Sequence, residues 1–243
     1  MKIEGKVEVT CSACGERREH ALVQLVNAQG TPEARARLLR GELNLATCAC
    51  GKVTQLACEL VYQDPQLGLL CHVCPGGEAA MQRAEALFES AFAAPLAAAF
   101  AGAASPPELP QPTGAAEPGA RPAAGYPLQR IVPSQNALVE KVKILEAGLD
   151  DWAVEMVKVL LLASIAVDDD DRVMLFVGVD EDAQAVQWLL FDAYGEVPTA
   201  LSSPLAAVQR LVATAGAGPA VTQRRIDRAW AIEAVRAMIA AAN

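Results

Sequence analysis

The sequence predicts an α+β protein in which a small N-terminal β module is joined by a Pro/Ala-rich linker to a C-terminal α+β domain. Three observations indicate this class. Two cysteine pairs lie near the N-terminus, and glycine follows each pair. Residues 101–132 are rich in proline and alanine and almost lack large apolar side chains. Elsewhere, apolar residues recur with the two-residue period of strands or the three- to four-residue period of helices.

Residues 1–77 predict a β module with one inserted helix. Alternating apolar and charged residues over 3–10 and an apolar run over 21–26 predict two strands. Thr31 and Pro32 then open a helix that ends at Gly41, because threonine caps helices and proline fits their first turn. Further strands are predicted over 43–48, 53–62 and 67–73.

Residues 78–100 predict a helix whose apolar face either packs in the core or binds a partner; the face consists of Met81, Leu87, Phe88, Phe92, Leu96 and Phe100. Residues 101–132 predict a disordered linker, because their composition buries too little apolar surface to offset the entropy of ordering. An acidic α+β domain is predicted over 133–243. Its expected elements are helices over 134–148 and 151–163, strands over 173–179 and 186–191, and helices over 204–215 and 226–242.

The charge distribution limits the kind of partner. The formal net charge is −9, and residues 133–243 hold sixteen acidic and nine basic side chains, whereas residues 1–75 hold eight of each. Binding to nucleic acid or anionic lipid requires a cationic surface, so neither partner is expected. The longest apolar run, 159–167, is too short to span a bilayer, and the N-terminus lacks the apolar stretch of a signal peptide. We therefore expect a cytoplasmic protein.

Four cysteines, Cys11, Cys14, Cys48 and Cys50, predict a structural zinc site. Tetrahedral zinc binds four thiolates well, and two tight turns that each offer a pair supply them. Glycine after each pair allows the positive φ that such a turn favours. In the shorter second pair, residues i and i+2 of an extended chain point to the same side. The arrangement is typical of a zinc ribbon; the alternative is four buried cysteines without a metal.

The other three cysteines, Cys58, Cys71 and Cys74, are interpreted as core residues, because cysteine in an apolar strand behaves as a small hydrophobe. Two alternatives stay open for the segment Cys71-His72-Val73-Cys74. It could form a second zinc site, or its two thiols could carry out redox chemistry.

Several motifs resemble the bacterial CpXC family, which is named for its Cys-Pro-x-Cys motifs. They are Val9-Thr10-Cys11-Ser12-Ala13-Cys14-Gly15, residues 39–44, Cys48-Ala49-Cys50-Gly51, residues 62–64, and in the C-terminal half residues 138–142, 148–151 and 155–158. Ser12 and Ala49 stand where the family has proline, and the second pair is one residue shorter. The resemblance implies a zinc-binding module and no particular reaction.

No catalytic constellation is recognisable, so no enzyme is predicted. The polar group of Asp150, Asp151, Glu155 and Lys158 is interpreted as a helix cap and an i, i+3 ion pair. We expect a non-enzymatic adaptor or regulatory protein that acts through protein–protein interaction. One alternative is a thiol redox sensor that uses Cys71 and Cys74. The other is a nucleic-acid-binding zinc ribbon that uses Arg17, Arg18, Arg35, Arg37 and Arg40.

Overall fold

The computed structural model describes residues 4–89, 126–165, 172–191, 198–216, 218–220 and 222–241. The chain divides into two units, Met1–Gln135 and Asn136–Asn243. The first unit therefore extends past the predicted 1–77 module and includes residues on the far side of the predicted linker. Both units contain helices and strands, which confirms the α+β class.

Two antiparallel hairpins form one part of the first unit. Strands β1 (Glu4–Thr10) and β2 (Arg17–Val23) pair so that Thr10 faces Arg17. Strands β4 (Leu45–Thr47) and β5 (Val53–Gln55) pair so that Thr47 faces Val53. A small cluster of buried side chains, Leu22, Ala46 and Leu56, supports the hairpins, with Val7, Val9 and Cys58 against it.

A four-stranded sheet forms the other part of the first unit. Its order is β3-β6-β7-β8, with β6 and β7 antiparallel and the two outer pairs parallel. The strands are β3 (Leu25–Asn27), β6 (Leu60–Asp64), β7 (Leu69–Val73) and β8 (Leu128–Val132).

Strand β8 corrects the sequence analysis, which assigned residues 128–132 to the disordered linker. The segment pairs in parallel with β7, and its apolar Ile131 and Val132 are each only 3% exposed. Five residues with little alternation give a weak strand signal when read beside a proline-rich stretch. The strand is stabilised by burial of Ile131 under a helix and by its ladder to β7. Neither contact can be predicted from the local sequence.

Two helices accompany this sheet. Helix α1 (Pro32–Leu39) buries Ala34 and Leu38, and helix α2 (Glu78–Glu89) packs Ala80, Ala84 and Phe88 into a core cluster that also contains Val61 and Leu70. The Thr31 prediction was wrong in detail, because its hydroxyl makes no cap bond and instead donates to Asn27 O at 2.8 Å. Residues Phe92, Leu96 and Phe100 of the predicted apolar face lie outside the described residues.

The second unit combines a three-stranded antiparallel sheet with four described helices. Its sheet order is β11-β10-β9, and β9 and β10 form the hairpin that the sequence predicted. The elements are α3 (Gln135–Glu146), α4 (Asp151–Ser164), β9 (Val173–Asp180), β10 (Ala185–Phe191), β11 (Thr199–Pro204), α5 (Leu205–Ala215) and α6 (Arg228–Ala241).

The core of the second unit is built on the hairpin and on α4. Trp188 is 1% exposed, its ring meets Phe176 edge-on at 6.0 Å, and its Nε1–H donates to Ser203 Oγ at 3.0 Å. Strand β11, which carries Ser203, was not predicted, because its mostly exposed residues lack apolar alternation. Within the described ranges, no helix is long and apolar enough to cross a membrane.

Candidate metal centre

The turns of the two hairpins bring the four predicted cysteines together. Cys11 and Cys50 have their sulfurs 3.7 Å apart, and Cys14 and Cys48 have theirs 3.5 Å apart. All four sulfurs lie within 4.8 Å of one another. In the described part of the chain, they are the one group of three or more His, Cys, Asp or Glu side chains placed to hold a metal ion. Each hairpin therefore contributes one pair, and the site ties together elements that are distant in sequence.

The backbone of each turn holds its cysteine pair. In the first, the N–H of Gly15 donates to Cys11 O at 2.9 Å, and in the second the N–H of Gly51 donates to Cys48 O at 3.0 Å. Both glycines have positive φ, 75° and 88°, which confirms the role proposed for them. The second pair was expected in an extended chain, but it lies in a tight turn closed by the Gly51 bond. The turn, and not a strand, brings its sulfurs together.

The thiols of Cys11 and Cys48 differ widely in how readily they ionise. The pKa of Cys11 is lowered to about 6, because the backbone N–H groups of Ala13 and Cys14 donate to its sulfur. The Cys50 N–H acts in the same way on Cys48, but the Cys14 sulfur and desolvation outweigh it and raise the pKa of Cys48 to about 12. The Cys11 thiolate thus forms readily, whereas a second thiolate at Cys48 is disfavoured. A divalent cation would remove this penalty by binding all four as thiolates.

The geometry fits a tetrahedral ion. A zinc–sulfur distance of about 2.3 Å implies sulfurs about 3.8 Å apart along each tetrahedral edge. Two of the sulfur–sulfur separations, 3.5 and 3.7 Å, lie close to that value, and the 4.8 Å upper limit on the others requires only a small contraction. Four sulfurs fill a tetrahedral shell, so an ion held here has no open position for a substrate.

Two cationic side chains lie beside the cysteines. A small recess next to Cys11 and Cys48 is lined by Arg18 and Lys52, together with Glu16 and His20. Arg18 pairs with Glu16 at 2.8 Å, and the Cys48 thiol lies 3.5 Å from the same carboxylate. Cations at this position offset the net negative charge of a four-thiolate metal site.

The remaining cysteines lie outside this cluster. Cys71 and Cys74 are fully buried, and their three-residue separation along β7 and its end places them on opposite faces of the sheet. Burial raises the pKa of Cys74 to about 11, and nearby Glu59 adds to the effect. Neither a shared metal nor a reactive thiolate fits this arrangement. Cys58 is half-buried and accepts a hydrogen bond from Asn44 Nδ2 at 3.1 Å.

The five arginines of the nucleic-acid alternative have partners within the protein. Arg35 is half-buried: its Nε donates to Tyr62 OH at 3.1 Å and lies 3.6 Å from Asp64, so it holds α1 against β6. The other four bind carboxylates or carbonyls nearby. The pairs are Arg17 with Glu8, Arg18 with Glu16, Arg37 with Glu42 O and Arg40 with Glu42.

A second polar feature, which the sequence analysis underestimated, lies in the second unit. We call it the buried charge cluster; its members are Glu140, Lys141, Asp151, Glu155 and Lys158, each 8% exposed or less. Lys141 Nζ lies 3.0 Å from Glu155 Oε1, and Lys158 Nζ lies 3.0 Å from Glu155 Oε2 and 3.1 Å from Glu140 Oε1. The predicted i, i+3 pair exists, but as part of an internal network.

The same cluster reaches the sheet. Glu140 Oε1 also accepts the backbone N–H of Phe176 at 2.6 Å, next to the point where the register of β9 and β10 shifts. Asp150 or Asp151 was predicted to cap helix α4, but the side chain of Asp150, which stands at the cap position, makes no cap hydrogen bond. Asp151 is instead 2% exposed and lies 3.5 Å from Lys141. The sequence did not predict the cluster, because charged residues that alternate with apolar ones on a helix usually face solvent.

Fold and site together define a small α+β protein with a four-cysteine cluster that can hold a metal ion. The model of the family described as CpXC protein matches residues 9–158, which is more than half of the chain. The chain therefore belongs to the CpXC family, as its motifs indicated. The matched range begins just before Cys11 and ends at Lys158, so it contains both the four-cysteine cluster and the buried charge cluster. No curated protein and no solved structure matches the chain.

Proposed function

We propose that the four cysteines bind one structural zinc ion as a zinc ribbon, and that the chain is a cytoplasmic, non-enzymatic adaptor or regulatory protein. The observation that carries the first part is the convergence of four sulfurs at separations that a tetrahedral ion requires. Soft thiolate ligands in tetrahedral geometry favour zinc over magnesium or calcium, which prefer oxygen. Because the shell is closed, the ion organises the fold and takes no part in a reaction.

The size of the hairpin core supports a structural role for the ion. The core cluster that supports the hairpins has three buried members among the described residues, Leu22, Ala46 and Leu56, which is too little to stabilise short strands alone. Zinc binding to thiolates contributes on the order of 10 kcal/mol at neutral pH. The ion would therefore supply most of the free energy that holds β1, β2, β4 and β5 together.

Charge supports a protein partner. The second unit carries the acidity of the chain, so a partner with a basic surface would associate with it favourably. A nucleic-acid-binding ribbon would need arginines free to contact phosphate, whereas those of the first unit pair with carboxylates and carbonyls of the chain itself. The acidic residues of the second unit would also be repelled by a membrane of anionic lipid.

Affinity capture of the tagged full-length chain from the native cells tests this proposal, with two variants beside the wild type. Cys48→Ser removes a zinc ligand, and Cys58→Ser is the matched control outside the cluster. We expect one protein at constant stoichiometry with the wild type and with Cys58→Ser. Loss of that partner protein with Cys48→Ser would show that the ribbon is needed for the partner to bind. Recovery of nucleic acid in a salt-dependent manner, or of no specific protein, would contradict the proposed role.

A further inference from the structure

The second unit contains a cavity of about 560 Å³ between two of its helices. Trp152 and Met156 line it from α4, and Trp230, Ala234 and Met238 line it from α6. Residues four apart on a helix lie on one face, so each helix presents a continuous apolar wall to the cavity. Residues at and after the end of α5, among them Gly218, close one side.

We propose that this cavity is a binding site for an uncharged aromatic small molecule that carries a hydrogen-bond acceptor. Small-molecule sites are typically concave, occupy about 300–1,000 Å³, and combine apolar walls with a few placed polar groups. The named walls consist of two indoles, two thioethers and alanine, and none of the described residues that line the cavity is charged. Indole and thioether groups both make favourable contacts with aromatic rings.

The acceptor is inferred from Trp152. Trp152 as a whole residue is 7% exposed, yet its Nε1–H has no hydrogen-bond acceptor among the residues that the structure describes. The other deeply buried indole, Trp188, does have one, Ser203 Oγ at 3.0 Å. Indole N–H groups of largely buried tryptophans usually find a hydrogen-bond partner. A ligand acceptor in the cavity would satisfy the Trp152 donor.

Gly218 shows that space is kept free beside that donor. A Cβ at Gly218 would lie 2.9 Å from Trp152 Nε1 and 3.3 Å from the ring carbon Cε2. Its φ is not in the positive range, so the backbone alone does not require glycine here. Any side chain at this position would approach the indole N–H and reduce its access to a ligand.

Fluorescence titration of the zinc-loaded full chain with Prodan tests the site. Prodan is a neutral naphthalene dye with a carbonyl acceptor, and dimethylaminonaphthalene is the same ring system without the carbonyl. We expect saturable binding of Prodan with blue-shifted emission. Trp152→Phe should weaken Prodan about 3- to 10-fold, the effect of one hydrogen bond, and leave dimethylaminonaphthalene unchanged. Equal weakening of both dyes would refute the assigned acceptor.

Two glycine variants test the location. Gly218→Leu should weaken both dyes at least tenfold, whereas Gly178→Leu, a glycine on β9 with open space at its Cβ, should bind them like the wild type. Ala234→Phe, which fills the opposite wall, gives a second blocking variant, and near-ultraviolet circular dichroism verifies that each variant is folded. Binding that does not saturate, or that folded Gly218→Leu and Ala234→Phe retain, would overturn the proposal. All lining residues belong to the second unit, so the result is independent of the proposed zinc role.

Discussion

Replacing Lys141 by methionine removes one of the two cations of the buried charge cluster. Its ammonium lies 3.0 Å from Glu155 and 3.5 Å from Asp151, and the cluster already has three carboxylates for two ammonium groups. In the variant a single cation, Lys158, remains for those three carboxylates. Breaking a buried pair by removing one partner costs about 3–5 kcal/mol. For a unit of this size, such a loss lowers the unfolding midpoint by roughly 12–20 °C.

Thermal unfolding followed by near-ultraviolet circular dichroism measures this loss, because Trp152 and Trp188 are both buried in the second unit. Arg236→Met is the control. It breaks an i, i+3 pair with Glu233 in which both side chains are more than 70% exposed, and such pairs contribute at most about 1 kcal/mol. If Lys141→Met shifts the midpoint no more than Arg236→Met does, the buried charges do not stabilise the unit as argued.

The double variant Lys141→Met/Glu155→Gln separates charge from packing. Removing one carboxylate restores the original excess of a single negative charge, so the second substitution should recover part of the loss. Residues in one ion-pair network couple by about 0.5–3 kcal/mol. Strict additivity of the two single effects would show that Lys141 acts through packing alone.

The cluster also predicts a pH profile for the second unit. Burial raises the pKa of Glu155, but Lys141 and Lys158 outweigh it and lower the pKa below its usual 4.5. Burial lowers the pKa of Lys141, but Glu155 and Asp151 outweigh it and raise the pKa above 10.5. The stabilisation of the folded state by the Glu155 carboxylate is therefore present above pH 4.5 and lost as the pH falls through the lowered pKa. The ammonium contribution is present below pH 10.5 and lost as the pH rises through the raised pKa, so a plateau between these limits is expected.

Three further predictions concern the first unit. Gly51→Ala places a side chain at φ 88°, which costs about 1–2 kcal/mol and should weaken zinc roughly 5- to 30-fold in a chelator competition; unchanged affinity would contradict the turn geometry. Tyr62→Phe removes a hydroxyl that bridges Arg35 and Asp64 and should cost about 1–3 kcal/mol in urea unfolding, with no effect if the bridge is unimportant. The buried thiol of Cys74 should react with a disulfide reagent only as the chain unfolds, and fast reaction would revive the redox alternative.

The four-cysteine cluster could be predicted from the sequence because each of its two turns has a local signal. Cys11 and Cys14, with Gly15 after them, specify a turn whose conformation depends on neighbouring residues only. The same holds for the hairpin of β9 and β10, where apolar alternation and an acidic turn are enough. Motifs over residues 138–158 also carried the family resemblance, and the family match over residues 9–158 confirms that resemblance.

The features that sequence reasoning missed depend on distant contacts. Strand β8 is stabilised by its ladder to β7, which lies more than fifty residues earlier in the chain. Glu140 and Lys158 look like solvent-exposed helix charges until the fold places them 3.1 Å apart inside the second unit. Local propensity and periodicity carry no information about either contact, because tertiary packing decides both.

Metal analysis of the purified, reduced chain tests the central claim most directly. Elemental analysis should give one zinc per chain for the wild type and for Cys58→Ser, and clearly less for Cys48→Ser. Removal of the zinc with a strong chelator should unfold the hairpins, because their few buried side chains cannot hold them alone. A wild-type chain that carries no stoichiometric zinc and keeps its N-terminal fold in chelator would contradict the account.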